Sequence, residues 1–187
     1  LMRLSGTSPN DPEIHLELAR LSARGGDVPG ALLHYHEALN ELPAGTEAQG
    51  RVRRIRVELA RFLLDHDDRG RALSELLVLA ADTPSDAASH VEVARLFLEA
   101  GDVARALGQF VEASRLDEAC GPAFAGAGEA SFQLGDYGSA RRYLERALAL
   151  DPGAERAAGL LETTRRIESG NPLAPRLPSD ERMRRLL

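Results

Sequence analysis

All 23 basic residues of this 187-residue chain are arginine. Lysine chemistry is thereby removed: no Schiff base can form and no phosphate loop can offer its ammonium. Arginine instead presents a planar fork that grips a carboxylate through two parallel hydrogen bonds. Three arginines share one local pattern, each following a glutamate by three: Glu17 and Arg20, Glu58 and Arg61, Glu92 and Arg95. On a helix such neighbours gain only about 0.2–0.5 kcal/mol by pairing, and they can simply solvate a face. Turned toward a partner's carboxylates, the same side chains would bind. A denser run, Arg51, Arg53, Arg54 and Arg56, could meet phosphates or an acidic partner, or be the solvated start of a lengthened helix.

Other reactive residue types are scattered. His34 and His36 are two apart, so a helix would point them different ways. No second ligand is spaced to help any of the five histidines, and no metal site is expected. Carboxylates are abundant, but no pair sits in an apolar pocket that would split their pKa values. No Ser/His/Asp trio stands out, and Gly25-Gly26 reads as a turn, not a phosphate cradle. No catalytic residue and no cofactor are expected. Cys120 is the only cysteine, so neither an internal disulfide nor a cysteine-based zinc site can form; it reads as a small packing residue. The net charge of -6 speaks against a general nucleic-acid binder.

The elements that would position these residues emerge when the chain is aligned on itself. Four segments, 12–45, 53–86, 87–120 and 121–154, share one pattern, and the last three run head to tail at a 34-residue period. A small residue recurs in the first half (Ala19, Ala60, Ala94, Gly128) and another in the second (Ala31, Ala72, Ala106, Ala140). A break lies between them: Gly26-Asp27, Asp67-Asp68, Gly101-Asp102, Gly135-Asp136. Each unit reads as two amphipathic helices that approach closely at the small residues. Gly135 suits the left-handed residue that ends a helix and Asp136 the cap of the next. Seven extra residues, Thr46 to Val52, follow the first unit. Ala154, Ala157, Leu160 and Leu161 give residues 153–169 one apolar face, as a capping helix needs.

These residues resemble the tetratricopeptide repeat family, in particular its bacterial-type scaffolds, over about residues 12–154. The fourth repeat position departs from the family's preferred Trp, with His15, Arg56, His90 and Phe124, and Glu118 stands where Pro is usual. His15 and His90 therefore read as packing residues between helices. The resemblance implies an all-α, right-handed superhelical solenoid of four helical hairpins plus a C-terminal capping helix. It also implies a concave groove lined by the first helix of each hairpin. Carried over position by position, the groove receives Arg20, Arg61, Arg95 and Glu129; Leu16, Val57, Val91 and Ala125; and Ala23, Leu64, Leu98 and Phe132. An extended partner with acidic residues three apart would advance about 3.3 Å per residue and meet arginines on helices about 8–10 Å apart. The family's chaperone-tail clamp needs Lys and Asn at set places. Leu16, Arg20, Glu58, Ala88 and Glu92 stand there, so that clamp is absent.

The domain organisation expected is an extension (1–11), the repeat region with its cap (12–170), and a proline-rich linker with part of an amphipathic helix (171–187). The chain opens on Leu1 and stops inside an apolar pattern, which reads as a piece of a longer protein. The function expected is a non-catalytic scaffold or adaptor that holds a protein segment or peptide, one carrying acidic residues. Two alternatives stay open: a structural subunit self-associating through the arginine-rich tail, and the regulatory region of a larger protein. No apolar run is long enough to cross a membrane. The lone thiol favours the cytoplasm over the periplasm, with an upstream anchor left open.

Overall fold

The computed structural model describes residues 11–42 and 46–170. Among these it contains nine helices and no strand: α1 (Pro12–Arg24), α2 (Val28–Asn40), α3 (Thr46–Asp65), α4 (Arg69–Ala81), α5 (Ala87–Glu99), α6 (Val103–Leu116), α7 (Gly121–Gln133), α8 (Tyr137–Leu150) and α9 (Glu155–Gly170). The all-α helical repeat expected from the sequence is the fold of the chain. None of these helices is long and apolar enough to cross a membrane. The linker and tail of 171–187, and residues 1–10 of the extension, lie outside the described residues.

The same local chemistry joins the two helices of each hairpin. Asp27, Asp68, Asp102 and Asp136 each accept the backbone N–H three residues on, at 3.0, 3.2, 3.1 and 3.0 Å. Each supplies one of the partners a helix start lacks. The carboxyl of Asp136 is held below the usual range by its hydrogen bonds from Ser139. Before each aspartate one residue takes a left-handed backbone: Gly26, Gly101 and Gly135 at φ 76°, 86° and 78°, and Asp67 at φ 55°. A Cβ is disfavoured there, so Asp67→Gly should stabilise the chain by about 0.5 kcal/mol. The readout is a higher urea midpoint; a lower one would show that the 3.1 Å contact from Arg69 to Asp67 outweighs the relief.

The chain forms two compact units, Leu1–Asp82 and Thr83–Leu187. In the first, α1 packs on α2, α2 on α3 and α3 on α4. Leu16, Ala19, Ala31, Tyr35, Ile55, Leu59, Phe62 and Ala72 form its core. Ala19 and Ala31 are fully buried and let α1 and α2 approach. The seven extra residues from Thr46 lengthen α3 at its start. Arg51 on this stretch and Arg56 just beyond it pair with Glu13 and Glu75, so much of the basic run is spent within the unit.

In the second unit α7 packs against α5, α6 and α8, and α9 packs against α7 and α8. The small residues are again the closest points: Ala94, Ala106 and Ala140 are wholly buried. A Cβ on Gly128 would come within 2.6 Å of the Leu144 side chain, so glycine sets a closer approach here than alanine does in the other hairpins. Helix α9 buries Ala157, Leu161 and Thr164 and leaves Glu155, Glu162, Arg165 and Arg166 exposed, which is the division expected of a cap.

Candidate functional site

Arg20, half-buried on α1, donates to two carboxylates of the first unit. Its Nε and Nη2 donate to the two carboxylate oxygens of Glu58 on α3, both at 2.8 Å, and its Nη1 donates to Glu17 at 2.6 Å. The hydroxyl of Tyr35 on α2 donates to the same Glu58 at 3.1 Å. Three helices thus meet on one carboxylate. The hydrogen bond from Arg20 holds the Glu58 carboxyl below its ordinary range. Burial, then the Glu58 charge, raises the Tyr35 hydroxyl. The sequence pairing of Glu17 with Arg20 is present, but its across-helix partner Glu58 was not anticipated. The signal was available: Glu17, Glu58 and Glu92 occupy one repeat position, and Arg20, Arg61 and Arg95 another.

In the fourth hairpin the glutamate position is Gly126. The place of its missing side chain is taken by Phe110, whose ring carbons would lie 2.3 Å from a Cβ there. Arg95 on α5 therefore faces a glycine where Arg20 faces Glu58. Arg95 is exposed, and among the described residues no carboxylate stands within ion-pair distance of it. A cavity of about 620 Å³ opens at this point, between the first helices α5 and α7 and the cap α9. Such a volume is within the range of ligand clefts. Leu98, Phe110, Ala125, Gly126 and Leu160 give it an apolar lining. Arg95 stands on its wall with Glu99, Glu129, Asp151, Glu155 and Arg156. Arg156 is paired with Glu129, leaving Arg95 against three carboxylates.

Of the residues carried to the groove, Arg95, Leu98, Ala125 and Glu129 line this one cavity. Phe132 is half-buried and meets Tyr137 edge-on at 5.6 Å. Arg61 is exposed on α3, and Leu64 packs on the first unit's core. Leu16, Val57 and Val91 are buried, at 8, 6 and 7% exposure, and present little surface to a ligand.

The histidines depart from their expected isolation. His15 does pack between helices, but against His34: their Nδ1 atoms are 3.4 Å apart. Oε2 of Glu37 lies 2.8 Å from the first and 3.0 Å from the second. Spacing along one helix could not reveal this, because His15 is on α1 and the other two on α2. His90 hydrogen-bonds Gln109 at 2.7 Å, and His36 is exposed. Cys120 is a half-buried free thiol at the start of α7.

Residues 97–163 match the family described as tetratricopeptide repeat. No curated protein is similar enough in sequence to count as a relative. Among solved structures, the MamA protein is 17% identical, with a TM-score of 0.64 over 94% of this chain and 87% of its own. YrrB, described as a tetratricopeptide protein with an unusual peptide-binding site, is 16% identical, with a TM-score of 0.62 over 81% of this chain and 74% of its own. The first repeat domain of Spaghetti (RPAP3), bound to the HSP90 peptide SRMEEVD, is 20% identical, with a TM-score of 0.53 over 62% of this chain and 91% of its own. At these identities the likeness is one of fold.

Proposed function

We propose that this chain, which matches the tetratricopeptide repeat family over residues 97–163, acts as a non-catalytic adaptor, holding an extended segment of a partner protein in the cavity of its second unit. The observation that carries this reading is the interrupted arginine–glutamate pattern. Arg20 has its carboxylate from Glu58; Arg95 meets Gly126 instead, beside an apolar cavity. With the glutamate's place filled by the Phe110 ring, a carboxylate from the partner would instead approach the exposed Arg95 from the cavity side and receive a two-pronged grip. Aliphatic side chains of the segment would lie over the half-buried Leu98, Ala125 and Leu160.

The remaining charges refine the partner. Glu99, Asp151 and Glu155 would repel a wholly acidic segment and favour a basic residue beyond the apolar stretch. The ligand is thus an extended segment of mixed charge, with its acidic residue on Arg95. Peptide ligands of the similar structures, such as the acidic peptide on the RPAP3 domain, support the class of partner. The mode differs, since the clamp residues for chaperone tails are missing.

The test is fluorescence anisotropy with labelled peptides that carry one glutamate, two leucines and one lysine, together with forms in which the glutamate or the lysine is glutamine. Arg95→Ala should weaken the mixed-charge peptide at least about tenfold, as loss of a charge-assisted hydrogen-bond pair does. It should barely alter the form that lacks glutamate. Equal affinity of Arg95→Ala and the intact chain for every peptide would sink the proposal.

A further inference from the structure

In the first three hairpins the repeat brings one residue of the first helix opposite a residue 19 positions later on the second. Arg56 meets Glu75, and His90 meets Gln109 at 2.7 Å. In both pairs a donor faces an acceptor. The first hairpin instead sets two imidazoles together, His15 on α1 and His34 on α2, and Glu37, one turn beyond His34, closes on both. Three potential metal ligands from two helices therefore converge: Nδ1, Nδ1 and a carboxylate oxygen, separated by 3.4, 2.8 and 3.0 Å. They form the one such group of three or more among the described residues.

We propose that His15, His34 and Glu37 bind a single divalent transition-metal ion, of which zinc is the natural probe. Zinc bonds to imidazole nitrogen and carboxylate oxygen are about 2.0–2.2 Å long. One ion at that distance can touch all three atoms at the separations observed. Two neutral imidazoles and one carboxylate suit zinc and its neighbours in softness; calcium and magnesium prefer all-oxygen sites. The frame is firm. His34 and Glu37 are one turn apart on α2, and fully buried Ala19 and Ala31 hold the hairpin closed. The side chains of His15 and His34 are only 15% and 24% exposed, and that of Glu37 38%, so water can reach the open side and occupy the fourth position. His36 faces away and is no part of the set. The bound ion would clip α1 to α2. The inference stands on the first unit alone and does not depend on the peptide reading.

The experiment is calorimetric titration of the full chain, free of any histidine tag, with zinc chloride. The expected result is saturable one-to-one binding, weakened at least about tenfold by His34→Ala and by the nearly isosteric Glu37→Gln, and unaltered by His36→Ala. Circular dichroism checks that the variants keep their helices. Cobalt in place of zinc should give the intense visible bands of a four-coordinate site, absent in Glu37→Gln. No saturable binding to the intact chain, or the same affinity in His34→Ala and Glu37→Gln as in the intact chain, would overturn the site.

Discussion

Phe110→Ala is expected to destabilise the chain by about 3–5 kcal/mol. Its ring is 2% exposed and fills the space that Gly126 leaves by having no side chain. An alanine methyl cannot fill that gap, which the ring occupies against the Gly126 backbone. The cost therefore combines the lost burial of the ring with the void that remains. Urea unfolding should show the change as a lower midpoint at an unaltered slope. Phe110→Leu should recover most of the loss. A penalty below about 1 kcal/mol for the alanine variant would mean that the helices collapse onto the void, and that the glycine and the ring are not the matched pair described.

Glu58→Ala should cost roughly 2 kcal/mol. It deprives the half-buried Arg20 fork of its across-helix partner and leaves the buried Tyr35 hydroxyl without an acceptor. The side chains of Arg20 and Glu58 are 40% and 33% exposed, so solvent screening keeps the penalty below that of a fully buried pair. The effect has a definite pH dependence. The folded state holds the Glu58 carboxyl below its ordinary value of 4.5, so its contribution is fully present above that value. It is lost as the pH falls from there through the folded pKa. The stability gap between the intact chain and Glu58→Gln should be largest near neutral pH and shrink on acidification below about pH 4. A gap that widens in acid would contradict the assignment.

What was legible in the sequence follows from how local each signal is. The paired small residues, the left-handed turn glycines and the capping aspartates act within a few residues of themselves. Their recurrence drew the hairpins directly, and even the apolar face of α9 could be read. The seven extra residues after the first unit were visible, and the reading of the basic run as the start of a lengthened helix agrees with α3 beginning at Thr46. Contacts between helices were harder. Glu17 was paired with Arg20 because three residues separate them, while Glu58, 38 residues from Arg20, supplies the stronger bond. His15 was set apart from His34 for the same reason, although the repeat puts the two opposite each other. The aliphatic positions Leu16, Val57 and Val91 turn into packing because a groove residue on an amphipathic helix borders its buried face. The lesson lies in Gly126. Its meaning comes from comparison with Glu58 and Glu92 at the same repeat position, which turns a plain glycine into a missing carboxylate.

The central claim is that the partner segment lies between α5, α7 and α9 with its carboxylate on Arg95. Amide chemical-shift mapping of the isotope-labelled chain, titrated with the glutamate–leucine–lysine peptide, tests it most directly. The account predicts saturable shifts at Leu98, Ala125, Gly126 and Leu160, together with movement of the Arg95 Nε–H resonance. That resonance should stay still when the peptide's glutamate is replaced by glutamine. Shifts confined to the first unit, or to the exposed faces of α6 and α8, with Arg95 undisturbed, would contradict it.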